Sequence, residues 1–304
     1  MTVVPAGQFT AMAVLVLVDK GKLSLDDTLR DVFPDFPEYG ETITIQHMLT
    51  HTSGLASYGP LEAEFEGRFM TDADVLTFLK SQKIGQFEPG SQFDYSNSAY
   101  AVLTEVVAKV SGMPFEEFMQ KEIFGHSNME GSFYLSVTPN ESNRALGYDM
   151  SKGRARYEED KPSSRIKGDG AIYTSARGMY GWHSALDTNA LVSPELHAAA
   201  YRAQPGTGGR YGYGWFLNSE QEGQFVEHGG SGLGFISYTV KDLDAGITVT
   251  ILANRSRVWP NDPGTDIYAR AYALLSLATD GARPMPDMAD LGVVETNTQP
   301  SELD

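Results

Sequence analysis

The chain has 304 residues, 41% of them hydrophobic, which is enough for one large domain or two small ones with a substantial core and excludes a disordered chain. Forty acidic and 23 basic residues leave a formal net charge of -17; such a surface repels nucleic acid and anionic lipid, and no basic run offers a nucleic-acid footprint. No cysteine is present, so disulfides, thiolate nucleophiles and cysteine metal sites are excluded, while the compartment stays open.

Residues 1–7 have neither the positive charge nor the apolar core of a signal peptide. Residues 8–20 read as a helix, with Phe9, Met12, Ala13, Val16 and Leu17 at helical spacing. Val14, Leu15 and Val18 make it apolar nearly all round, so it is expected to be buried, with Gly21 as its stop. The apolar run 11–18 is too short to span a bilayer, which takes ~20 residues, and no membrane-spanning segment is expected. A short acidic helix is expected within 24–37. Thr44 can cap a helix over 45–50. His47 and His51 stand four apart, on one helical face if that helix continues, but they lack the further ligands a zinc site needs; no metal and no cofactor is expected.

Thr71 and Asp72 open a further helix, and 98–110 form another that stops at Gly112. Pro114 suits the first position of the next. Residues 130–167 read as loops with short hairpins. Helices return at 174–186 and 194–203, so 42–203 reads as mostly helical. The pattern then changes: 211–217, 224–228, 235–240 and 247–253 are rich in β-branched and aromatic residues and read as successive strands, with a hairpin turn at 242–246. A helix at 267–278 follows, and 281–304 reads as a loose, Pro-rich acidic tail. An antiparallel sheet flanked by helices, with a helical region between, is an α+β arrangement. A single domain over 1–280 is expected, its sheet part at 8–30 and 205–280.

Three stretches combine into a pattern. The first is Phe9-Thr10-Ala11 with Gly21-Lys22-Leu23, running on to Ile45-Gln46-His47-Met48-Leu49-Thr50-His51-Thr52-Ser53-Gly54-Leu55. The second is Pro89-Gly90 with Tyr95-Ser96-Asn97. The third is His228-Gly229-Gly230 followed by Gly234-Phe235. Gly168-Asp169-Gly170 and Tyr211-Gly212-Tyr213-Gly214-Trp215 add to it. In order and spacing, from about residue 8 to 278, the chain resembles the class C β-lactamase, penicillin-binding protein and esterase family of serine hydrolases. That group combines a Ser-x-x-Lys motif, a second polar triplet and a third Lys- or His-led triplet. Tyr95-Ser96-Asn97 fits the second and His228-Gly229-Gly230 the third.

The resemblance implies a β-lactamase/transpeptidase-like fold and acyl-enzyme hydrolysis of an ester, peptide or β-lactam. It implies that Tyr95 is the proton shuttle, which needs a nearby cation because a phenol titrates near ~10. It implies that Asn97 holds the acyl carbonyl and that His228, at an edge-strand position, binds a substrate carboxylate or polarises the site. Gly229 and Gly230 let a ligand approach the strand, and the Ser231 N–H supplies half of an oxyanion hole. The partner implied is a small-molecule or peptide substrate; the sequence does not speak to oligomeric state or compartment. His228 in place of lysine favours the esterase or peptidase branch.

One part of the pattern is missing. Counting back from Gln8-Phe9-Thr10-Ala11, Val4 occupies the serine position and Gly7 the lysine position, and no Ser or Lys lies within 1–7. Family members also carry an N-terminal β-hairpin ahead of the nucleophile. The sequence is therefore expected to be an N-terminally truncated or frame-shifted hydrolase, inactive as written, with 247–253 left as an unpaired sheet edge. The alternative is a non-catalytic pseudoenzyme that binds peptidoglycan or another ligand. Ser53 is expected in a turn after a helix and not as a nucleophile. Ser231 lacks the G-x-S-x-G elbow, and no parallel sheet supports an α/β-hydrolase. His126 and His197 are expected on the surface.

Overall fold

The computed structural model describes residues 1–4, 6–134, 144–149, 156–157, 161–218, 223–256 and 267–283. Most of the expected tail, from 284 onward, lies outside the described residues.

The chain opens on a strand, β1 (Thr2–Val4), where no element was expected. All three residues are β-branched, which suits a strand, but three residues are too few for alternation to show. Helix α1 (Gly7–Asp19) follows and buries every residue from Gly7 to Leu17, as an all-apolar helix must. It ends where Gly21 takes φ 63°. A capping box between Thr28 and Asp31 starts α2 (Leu29–Val32). Thr44 accepts the His47 N–H to start α3 (Ile45–Leu49). This helix stops before His51, which has φ 56°, so His47 and His51 do not share a helical face. Thr71 and Asp74 cap α4 (Asp72–Ser81). Ser96 caps α5 (Asn97–Ser111), which Gly112 closes in the left-handed conformation. Then α6 (Phe115–Phe118) runs on into a π-helical turn, Met119–Phe124.

The region expected to be mostly helical also holds four short strands: β2 (Phe133–Tyr134), β3 (Tyr148–Asp149), β4 (Arg156–Tyr157) and β5 (Ile172–Thr174). The order β1-β5-β2 forms a small antiparallel sheet with Val4 opposite Ile172, while β3 pairs with β4. Thr174, read as the start of a helix, ends β5. Helix α7 (Ala176–Asp187) starts after it with Ser175 as cap, and α8 (Pro194–Ala200) follows.

The second sheet is antiparallel in the order β6 (Phe216–Asn218), β7 (Phe225–Gly232), β8 (Phe235–Asp242) and β9 (Ile247–Ala253). The Asp242 carboxylate accepts the N–H groups of Asp244 and Ala245 at 3.0 and 2.9 Å, and Gly246 takes φ 67°, which builds the β8–β9 turn. Among the described residues β9 pairs with β8 alone, the outer position expected for it. The strand expected at 211–217 shrinks to β6, because Tyr211 to Trp215 turn tightly: Gly214 takes φ 79°, and a Cβ there would stand 2.8 Å from that of Ala11.

Helix α9 (Ile267–Ala278) covers one face of this sheet. Ile236, Tyr238 and Val240 pack there on Ile267, Ala271, Tyr272 and Leu275; each fully buried aliphatic side chain stabilises the fold by roughly 1.5–3 kcal/mol. On the other face Ser237, Thr239 and Lys241 are also buried. The β6 register ends at Phe216 opposite Glu227, whereas β7 stays paired with β8 to Gly232 opposite Phe235. His228 is therefore not on an edge strand as a whole. It begins a five-residue stretch of an inner strand that runs past the end of its short neighbour.

Candidate active-site cleft

Four contacts fix the start of α1. Gln8, 1% exposed, accepts the indole N–H of Trp182 at 2.7 Å. Phe9 packs on the same indole with ring centroids 4.4 Å apart. Thr10 donates to the Gly168 carbonyl at 2.8 Å, and the Ala6 N–H donates to the Asp169 carbonyl at 3.2 Å. This is why a Gln-Phe-Thr run stands here: it locks the first turn of α1 to α7 and to the 167–170 loop. The residues just before that run are Val4, buried in β1, and Gly7, the first residue of α1. Neither has a side chain that can attack or carry a proton.

Gly7 faces His228. A Cβ on Gly7 would lie 2.8 Å from His228 Nε2 and 3.6 Å from the Tyr100 ring. The His228 Nδ1 lies 3.1 Å from the Gly229 carbonyl. A carbonyl only accepts, so Nδ1 carries the proton and Nε2 is a bare acceptor. That Nε2 is buried and has no hydrogen-bond partner among the described residues. Burial pushes the imidazole down to about 4, so it is neutral at pH 7. Val4, Gln8, Met179, Ser237, Thr239 and Thr250 line a narrow crevice with it.

Tyr95 sits opposite, in an aromatic stack. Its ring lies on His51 at 4.0 Å and on Phe216 at 5.7 Å. His51 is in turn stacked on Tyr100 at 4.7 Å, and Tyr100 donates to the Leu49 carbonyl. The His51 Nδ1 accepts the Ser96 N–H at 2.9 Å, so its proton is on Nε2, which is buried without a partner among the described residues. Burial and the nearby His228 both hold the His51 imidazole well below its ordinary range. Phe216 lies 5.8 Å from His228. One ring thus packs near both Tyr95 and His228, which brings the two expected site segments close together.

Among the described residues no cation stands beside Tyr95, as its role as a base would need. Burial and the carboxyl of Asp169 instead push its phenol above the ordinary tyrosine range, so Tyr95 stays protonated at neutral pH. Asn97, two residues on, is half-buried in the first turn of α5. Gly229 and Gly230 are half-buried and Ser231 is exposed; a Cβ on Gly229 would meet the Tyr238 ring at 3.0 Å.

Two residues of this cleft were not expected. His51 looks in sequence like part of a helix–turn segment, and Asp169 like a loop residue between two glycines. Their stacking and placement depend on contacts more than 40 positions away. Ser53 is buried and its Oγ accepts the Leu55 N–H, so it serves a turn. His126 is exposed. His197 is not a surface residue: it is 9% exposed, its Nδ1 lies 2.6 Å from the Asn189 side-chain oxygen, and its ring packs on Tyr201. A seven-residue helix shows too little periodicity to reveal which face it buries. Among the described residues no three His, Asp or Glu side chains gather as a metal site, and no helix is long and apolar enough to cross a membrane.

Comparison with known proteins gives the family and the fold. The family model described as Beta-lactamase matches residues 8–274. A putative penicillin-binding protein, PbpX, of Bacillus subtilis (strain 168) is 32% identical over 219 residues, 72% of this chain and 53% of that protein. Penicillin-binding protein 4* of the same organism is 28% identical over 266 residues, 81% of this chain and 58% of the relative. The chain thus spans little more than half the length of these relatives. The octameric penicillin-binding protein homologue from Pyrococcus abyssi superposes with a TM-score of 0.75 at 26% identity, covering 92% of this chain and 66% of the homologue. The fold is of the β-lactamase/transpeptidase type, and the chain belongs to the β-lactamase family of penicillin-binding-protein-like serine hydrolases.

Proposed function

We propose that this chain binds an ester, peptide or β-lactam ligand in the Tyr95–His228 cleft without forming an acyl-enzyme. The observation that carries the reading is the pair Val4 and Gly7. Acyl transfer needs a hydroxyl beside a base that can take its proton. At these two positions there is a buried isopropyl group and a hydrogen atom. Tyr95 stays protonated and cannot fill the base's role. His228 Nε2 is neutral and bare, but an acceptor without a hydroxyl beside it starts no reaction.

What remains is recognition. The Asn97 amide can donate to a ligand carbonyl. His228 Nε2 can accept a ligand N–H. The stretch from Gly229 to Ser231 leaves room for a ligand against the backbone, and the Ser231 N–H can hold the carbonyl oxygen. Loss of the nucleophile typically lowers kcat by about a million-fold where it has been measured in a related chemistry, so binding without turnover follows.

Titration with a fluorescent penicillin, read by anisotropy, tests this. Saturable binding that reverses on dilution, and weakens in Asn97→Ala and His228→Ala, is expected. Absence of saturable binding, or binding indifferent to both substitutions, contradicts the reading.

A further inference from the structure

We propose that Leu233, at the tip of the β7–β8 hairpin, is a positioning residue: its side chain anchors the hairpin so that the backbone from Gly229 to Ser231 is held in place for a ligand. The proposal rests on the reading that this stretch takes part in binding.

The stretch has little of its own to fix it. Glycine stands at 229, 230 and 232 and leaves the backbone its widest freedom. Beyond Glu227 the pairing with β6 has ended, while the pairing with β8 runs on. Hydrogen bonds alternate along an antiparallel ladder, so some N–H groups of the stretch face β8 and the others face the side where β6 has ended. The outward groups can serve a ligand only while the strand neither twists nor slides.

The far end of the strand is where it is clamped. Gly232 pairs with Phe235, which leaves Leu233 and Gly234 as a two-residue turn. Both take positive φ, 53° and 70°, as a hairpin this tight requires. Glycine adopts that conformation freely, whereas the Cβ of a leucine crowds the carbonyl oxygen that follows it. A leucine stays there only where its surroundings hold it. Its side chain supplies that hold by packing, together with Val3 and Phe133, on Tyr173 and Phe235. The Tyr173 ring stacks on Phe133 at 5.3 Å and meets Phe235 edge-on at 5.8 Å. The tip of the binding strand is thereby plugged into the small sheet β1-β5-β2.

The backbone of the turn is braced as well. Tyr148 donates its N–H to the Gly234 carbonyl at 3.0 Å. A Cβ on Gly147 would stand 1.7 Å from the Leu233 carbonyl oxygen, and one on Gly234 would stand 2.2 Å from the Tyr148 nitrogen, so the two backbones are in direct contact. The same segment reaches the end of β9. The Tyr148 carbonyl accepts the Ser256 N–H at 2.7 Å, and the Leu146 carbonyl accepts the Asn254 side-chain amide at 3.1 Å. Residues 145–148 thus cross the end of the sheet, and Leu233 is the only side chain the two-residue turn offers to this brace beyond its backbone.

Comparison of the wild type with Leu233→Gly and Leu233→Met in the full chain tests the proposal. Glycine removes the anchor but suits the turn, so Leu233→Gly is expected to fold with a urea midpoint near that of the wild type. Exchange of the protected amides within 229–232 is expected to quicken at least about tenfold in that variant, while α5 keeps its protection. Dissociation of a fluorescent penicillin is expected to quicken about tenfold. Leu233→Met keeps an apolar anchor of similar volume and is expected to restore both. Unchanged exchange and unchanged dissociation in Leu233→Gly overturn the role. So does a lowered midpoint with unchanged dissociation, which makes Leu233 a packing residue alone and leaves the cleft a ligand site. Absence of saturable binding by the wild type overturns the cleft reading and this role with it.

Discussion

The bare Nε2 of His228 lies 2.8 Å from the point where a Cβ on Gly7 would stand. That distance is shorter than any comfortable carbon–nitrogen contact, so the imidazole and a side chain at position 7 compete for one volume. With glycine there, the imidazole keeps its Nδ1–H on the Gly229 carbonyl and its ring against Phe216.

Gly7→Ala should therefore displace the ring. Overpacking a closed site of this kind destabilises by about 1–3 kcal/mol. The urea midpoint should fall at unchanged slope, and the His228 imidazole nitrogen resonances should move. An unchanged midpoint with unmoved resonances would show that the ring does not fill the space beside Gly7.

Tyr95 divides into a ring that packs and a hydroxyl that does not hold the fold. Tyr95→Phe keeps the stack on His51 and Phe216, and its stability should match the wild type within about 0.5 kcal/mol. Tyr95→Ala opens the stack and should cost about 2–3 kcal/mol, less than a fully buried ring because Tyr95 is half-buried. Chemical denaturation of both variants checks this. Equal losses in the two would place the stabilising contact on the hydroxyl instead.

Asp72 should make stability depend on pH. Burial raises its carboxyl to about 7 from 3.8. The folded value lies above the unfolded one, so the contribution is full below about 3.8 and is lost as pH rises through about 7. Asp72→Asn carries no charge at any pH. Relative to the wild type, the variant should gain about 2 kcal/mol between pH 5 and pH 8. A stability difference that stays constant over that range would show that the buried carboxylate is fully compensated by the N–H groups of Lys167 and Gly168.

The long elements were legible because each repeats a physical signal. Helix α1 is apolar all round, α5 carries a serine cap and a left-handed glycine, and β9 matches its expected bounds of 247–253. The strands of two and three residues were hidden, because β1, β5 and β2 are too short to show alternation and are held by pairing with segments distant in sequence. In the candidate site, Tyr95 and His228 could be named because their triplets resemble those of the family. His51 and Asp169 could not, since the first acts by stacking between Tyr95 and Tyr100 and the second by the way Asp72, Thr10 and Ala6 hold its loop. Such roles are set by tertiary contacts and leave no periodic trace.

The most direct test of the central claim is the intact mass of the full chain after prolonged incubation with benzylpenicillin and, separately, with a p-nitrophenyl ester. With valine and glycine at positions 4 and 7, the mass should remain that of the unmodified chain while reversible binding is still detected before denaturation. A covalent adduct that survives denaturation would contradict the claim and would mean that another hydroxyl in this cleft is activated.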